Sequence, residues 1–159
     1  DPADPYFLEL KGQVLLESGR PHEALDPLRR ATAMTNAEPL IASLFGHALI
    51  ATEDDGNFEE AERVLRAAVG RDRRNPFAWY QLGVVYAARG DTARARLASA
   101  EQQVMNRQYG LALRSAQAAE YGLEHGTPDW IRAQDIGMQA RALLERQCEM
   151  ERGRDCAPG

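Results

Sequence analysis

The run Pro5-Tyr-Phe-Leu-Glu-Leu-Lys-Gly12 returns as Pro39-Leu-Ile-Ala-Ser-Leu-Phe-Gly46 and again as Pro76-Phe-Ala-Trp-Tyr-Gln-Leu-Gly83. In each copy proline stands seven residues before glycine, and the copies begin 34 and then 37 residues apart. Self-similarity at such a period marks stacked supersecondary units. The second halves agree too. Ala24, Leu28 and Ala31 follow Gly12, and Ala61, Leu65 and Ala68 follow Gly46 after three extra residues. The surplus falls in Glu53-Asp54-Asp55-Gly56-Asn57, a polar turn where added length costs little. After Gly83 the pattern fades, because Ser99 and Gln102 follow Ala95 where leucine and alanine are due.

Each unit reads as a helical hairpin. Asp4-Pro5 and Asn75-Pro76 put a side-chain acceptor at an N-cap and proline at the first helical position. Gly19 and Gly90 suit the turns between helices. Asn57, with Glu60 three residues on, has the form of a capping box. Leu8, Gly12 and Leu15 share a face of the first helix, where glycine admits the return helix closely. Beyond Gly90 the sequence predicts a helix to about Asn106, a turn at Arg107-Gln108 and a helix from Tyr109 to about His125. Ala112, Ala116 and Ala119 recur there as in the return helix of a degenerate fourth hairpin. Thr127-Pro128 then starts a long helix through Ile131, Ile136, Met138, Ala142 and Leu144 to about Arg152, able to cover the last apolar face. The residues after Gly153 are expected to be disordered.

The expectation is therefore one all-α domain over 1–152. Its repeats run 5–38, 39–75 and 76–106, followed by the degenerate hairpin and cap at 108–152 and a tail at 153–159.

Composition narrows the function classes. A net charge of −5 argues against nucleic acid as the main partner. The densest basic run, Arg63, Arg66, Arg71, Arg73 and Arg74, is offset by Glu59, Glu60, Glu62 and Asp72, which reads as acids in a first turn and arginines in a last turn. No stretch is apolar enough to span a bilayer. Cys148 and Cys156 are too few for a zinc site and read more readily as idle thiols than as a bridge. The chain starts at Asp1 without a methionine or a charged-then-apolar leader, and so reads as a piece of something longer.

Catalytic patterns are not found. His22-Glu23-Ala-Leu-Asp26 has aspartate where a zinc-protease helix needs its second histidine. His47 and His125 fall in other elements. There is no glycine-rich phosphate loop after a strand and no Gly-x-Ser-x-Gly elbow. No catalytic residue, cofactor or metal ligand is assigned to this chain.

Trp79-x-x-Leu82-Gly83-x-x-Tyr86, followed by Gly90 and Ala95, resembles the tetratricopeptide signature. The first two units depart from it: Leu8 and Ala42 replace tryptophan, and Lys11 and Phe45 replace leucine. The resemblance covers roughly residues 5 to 102. It implies a right-handed α-solenoid of hairpins in which the first helix of each hairpin lines a concave face that binds protein or peptide. On that phasing the lining is Tyr6, Glu9 and Gln13, then Leu40, Ser43 and His47, then Phe77, Tyr80 and Val84. Tyr6, Leu40 and Phe77 could equally staple neighbouring hairpins, while Glu9, Ser43, His47 and Tyr80 are expected to be exposed. Relatives that grip chaperone carboxylates use a basic clamp. Glu9, Ser43 and Tyr80, and in a second series Glu17, Ala51 and Ala88, form none.

A second resemblance rests on the run from Asp4 to Pro21, on Asn75-Pro-Phe-Ala-Trp-Tyr-Gln-Leu-Gly83 and on Thr127-Pro-Asp-Trp-Ile-Arg-Ala-Gln-Asp135. These are similar to the repeat region of bacterial periplasmic zinc metallopeptidases of the β-barrel assembly-enhancing type. It implies a cell-envelope location, a catalytic domain upstream that alone would hold zinc, and a role in presenting substrates. A stand-alone scaffold for a secretion, pilus or envelope complex is the alternative. Partner identity and oligomeric state are left open.

Overall fold

The computed structural model describes residues 1–152, and these form eight α-helices with no strand among them. The chain divides into two compact units, Asp1–Arg89 and Gly90–Gly159. The boundary falls between the two helices of the third sequence repeat. The tail expected to be disordered, 153–159, lies outside the described residues, and so does Cys156. Cys148, by contrast, is disulfide-bonded, which corrects the reading of it as an idle thiol.

The first unit contains α1 (Pro5–Glu17), α2 (Pro21–Met34), α3 (Pro39–Ala51), a 3₁₀ turn at Asp55–Asn57, α4 (Phe58–Arg71) and α5 (Pro76–Ala88). Asp4 caps α1 by accepting from the Tyr6 and Phe7 amides at 2.9 and 3.2 Å. Asn75 caps α5 through the Ala78 amide at 3.1 Å. Both are the caps that the sequence assigns, and Gly19 turns α1 into α2 at φ +73°. The third cap was not anticipated: Glu38 accepts from the Leu40 and Ile41 amides at 3.0 and 3.1 Å. Glutamate is not a preferred cap, but here it stands directly before Pro39, as Asp4 and Asn75 stand before theirs.

The capping box at Asn57 does not form. The 3₁₀ turn holds Asn57 in the right-handed helical region, and its side chain makes no cap bond. Its amide instead donates to Thr52 Oγ1 at 2.8 Å. Glu60 is drawn away to Arg29 of α2 by two bonds of 3.0 Å. Nor do the arginines all gather at the end of α4. Arg63 and Arg66 pair with Glu60 and Glu62 on their own helix. Arg71 does end the helix, and donates to the carbonyls of Asn36 and Ala37. Those two residues take φ of +51° and +56°, a conformation unfavourable for side-chain-bearing residues, so Arg71 braces a strained loop.

α1 packs on α2 and α3 on α4, while α2 and α4 each also pack on the following helix. The repeated alanine and leucine positions supply the interior. Ala24, Leu28, Ala31, Ala61, Leu65 and Ala68 are all fully buried, each leucine contributing about 2 kcal/mol by area removed from water. Glycine makes the close approach possible. A Cβ on Gly46 would lie 2.5 Å from the Cγ of Leu65.

The second unit comprises α6 (Thr92–Met105), α7 (Tyr109–Gly122) and α8 (Pro128–Arg152), each packed on the other two. Its core is Leu97, Ala100, Ala116, Ala119, Ala133 and Ile136. Small residues let the helices approach, and Gly122 would bring a Cβ to 3.0 Å from that of Ala93. Thr127 starts α8 by accepting from the Trp130 amide at 3.3 Å. Of the apolar residues expected to run along α8, Ile136 is buried, but Ile131, Met138 and Leu144 remain exposed. On α6 the residues turned inward are Leu97, Ala98, Ala100 and Glu101, whereas Ala95, Ser99 and Gln102 are half-buried. This explains why the repeat fades there. Glu101 takes both bonds of the Arg132 guanidinium, at 2.7 and 2.9 Å, linking α6 to α8.

Candidate functional site

Within the first unit α1 packs on α3 and α3 on α5, so the first helices of the repeats are neighbours. Three register positions, counted from Gly12, Gly46 and Gly83, then form rows across them. Tyr6, Leu40 and Phe77 stand six residues before glycine, Glu9, Ser43 and Tyr80 three before, and Gln13, His47 and Val84 one after.

The first row is open to solvent. Tyr6 is 64% exposed, Leu40 66% and Phe77 44%, and Tyr80 in the second row is 55% exposed. These four side chains stand on α1, α3 and α5. Phe77 retains one packing contact, meeting the His47 ring edge-on at 5.6 Å between centroids. His47 and Val84 are half-buried, and Gln13 is exposed, donating to Glu17 at 2.8 Å.

Ser43 departs from expectation. It is 2% exposed rather than open. Its hydroxyl donates to the Pro39 carbonyl at 2.6 Å and accepts from the Asn75 side chain at 3.0 Å. The reason is position: α3 is flanked by α1 on one side and α5 on the other, and the start of α5 reaches over Ser43. Asn75 thus caps its own helix with its oxygen and ties α3 with its nitrogen.

Glu9 is half-buried. Burial pushes its carboxyl above the usual carboxylate range, and the charge of Glu38 adds to the effect. Glu38 is the residue of this face that sequence reasoning overlooked. The available signal was its place before Pro39.

The remaining histidines lie elsewhere: His22 is exposed on α2, and His125 stacks on Trp130 at 4.8 Å. Among the described residues no group of three or more His, Cys, Asp or Glu converges as a metal would require, and no helix is long and apolar enough to cross a membrane.

Packed antiparallel hairpins with small residues at their crossings, and first helices side by side, constitute the tetratricopeptide type of fold. The family model described as a tetratricopeptide repeat matches residues 51–107, from the end of α3 to the turn after α6. Two solved structures are similar over nearly the whole chain. One, a crystal structure of MamA, shares 19% identity at a TM-score of 0.62, covering 94% of this chain and 83% of that one. The other, a crystal structure of MamA protein, shares 18% at 0.63, covering 99% and 81%. At these identities the likeness is one of fold. No curated protein matches the chain at a significant level.

Proposed function

We propose that this chain is a protein-interaction module that receives a segment of another protein across α1, α3 and α5, and that it carries out no catalysis of its own. The observation behind this is the exposure of Tyr6, Leu40 and Phe77 in the first row and Tyr80 in the second, large and mainly apolar side chains left in water on three adjacent helices. Monomeric domains seldom expose a contiguous apolar patch without a use for it. Flanking groups that can hydrogen-bond, Gln13 among them, suit a peptide or helix laid in a groove. The test is capture of a binding segment by variants: Glu9→Lys and Tyr80→Ala should each weaken it with helicity unchanged by circular dichroism. Undiminished capture by both would place the site elsewhere.

For the parent protein we propose an envelope location. The disulfide at Cys148 supports it, since such bonds persist in oxidising compartments. One reading makes the module the substrate-recruiting region of a zinc metallopeptidase and rests on the quoted sequence segments alone. A stand-alone assembly scaffold is the alternative, and the likeness in fold to the two MamA structures suits it. Reading the gene upstream of Asp1 separates the two. A signal peptide and a His-Glu-x-x-His motif there would carry the protease reading, and their absence would leave the scaffold.

A further inference from the structure

We infer that the segment received by α1, α3 and α5 is apolar and carries a cation, an arginine or lysine seated at Glu9; this rests on the proposed function above and names the partner's chemistry. The three helices carry more acid than base, and the nearest cation contributed by another helix, Arg71 of α4, is held on the Asn36 and Ala37 carbonyls beside Glu38 rather than at Glu9. α1 contributes Glu9 and Glu17, Glu38 stands at the start of α3, and α5 has no charged residue. The one lysine of the three helices, Lys11, comes two residues after Glu9 and so lies about 200° away around the helix. His47 is the one other titratable base of α1, α3 and α5, and its ring is engaged with Phe77.

Glu9 is half-buried, one register row from the exposed Tyr6 and Leu40. A segment laid over Tyr6 and Leu40 would strip more water from Glu9, whose carboxyl is already raised by burial and by Glu38. A neutral or acidic segment would make that worse, while a cation would offset it, because a desolvated charge is tolerated when paired. Glu38 has one oxygen committed to the Leu40 and Ile41 amides, so its charge is held in place beside the site. Complementary charge of this kind selects among partners more than it adds raw affinity.

The test uses the full chain and a random-peptide phage library, followed by fluorescence anisotropy on the enriched peptides. The expected selection combines aromatic or aliphatic residues with arginine or lysine. Exchanging that basic residue for glutamine should weaken binding to the unaltered chain by about tenfold. With Glu9→Gln the same exchange should make little difference. If enriched peptides lack basic residues, or Glu9→Gln still discriminates tenfold, the charge inference is overturned while the face remains a binding site. Leu40→Asp and Tyr80→Ala separate the two levels. If neither weakens any selected peptide, or nothing is enriched over a library panned without the chain, the interaction reading itself fails.

Discussion

Gly12 and Leu28 meet where α1 crosses α2, so closely that a Cβ on Gly12 would lie 2.4 Å from the Cγ of Leu28 and 2.6 Å from its Cδ2. Gly46 and Leu65 repeat the relationship in the next hairpin. Alanine at Gly12 should gain up to about 1 kcal/mol in helix propensity yet lose roughly 1–3 kcal/mol to overpacking against a buried leucine. The net expectation is a lower Tm for Gly12→Ala. Combined with Leu28→Ala, the loss should be smaller than the sum of the single losses, because the two residues share one space. A raised Tm for Gly12→Ala would contradict this packing.

Asn75 holds two elements at once. Replacing it with alanine removes the cap on α5 and leaves the buried Ser43 hydroxyl without its donor. Losses of about 1 kcal/mol for the cap and a similar amount for the hydrogen bond are expected in urea denaturation. Ser43→Ala should remove the second part alone. Equal effects from the two variants would show that the cap contributes nothing.

These relationships were unequally legible in the sequence. Glycine spaced from proline, and alanine and leucine at fixed distances beyond it, reveal hairpins because close packing constrains residue size at those positions. Asp4 and Asn75 could be read as caps because their bonds are local. Ser43 could not be placed by spacing, since its register partners Glu9 and Tyr80 lie on flanking helices and only Ser43 is covered from both sides. The bonds of Glu60 failed the reading for a related reason. Its partner Arg29 is 31 residues away, and a longer-range pair of charge-assisted bonds outcompetes a local capping box.

Glu9 and Glu60 should respond to pH in opposite senses. The folded state raises the Glu9 pKa, so ionised Glu9 is a penalty on folding that is present above the folded pKa and relieved as the carboxyl protonates. Glu9→Gln should therefore raise Tm at neutral pH and by less in acid. Glu60 is lowered, chiefly by its hydrogen bonds from Arg29. Its stabilisation is present above the unfolded carboxylate pKa and lost as pH falls through the folded one. Glu60→Gln should lower Tm at neutral pH, with the deficit shrinking on acidification. Thermal melts of the two variants across pH check both signs; parallel profiles would refute them.

In the second unit the carboxylate of Glu101 is only 2% exposed. Withdrawing its bidentate partner with Arg132→Met should cost about 3 kcal/mol, more than an exposed ion pair would. Denaturation of the variant measures it. A change under about 0.5 kcal/mol would mean that the pair is no more than a surface contact.

A two-dimensional NMR titration of the labelled chain with an affinity-selected peptide asks directly where a partner sits. Shift changes should centre on Leu40, His47, Phe77 and Tyr80 and extend to Tyr6 and Glu9. Changes confined to α2 and α4, or to α6, α7 and α8, would show that the exposed row on the first helices is not where the protein binds.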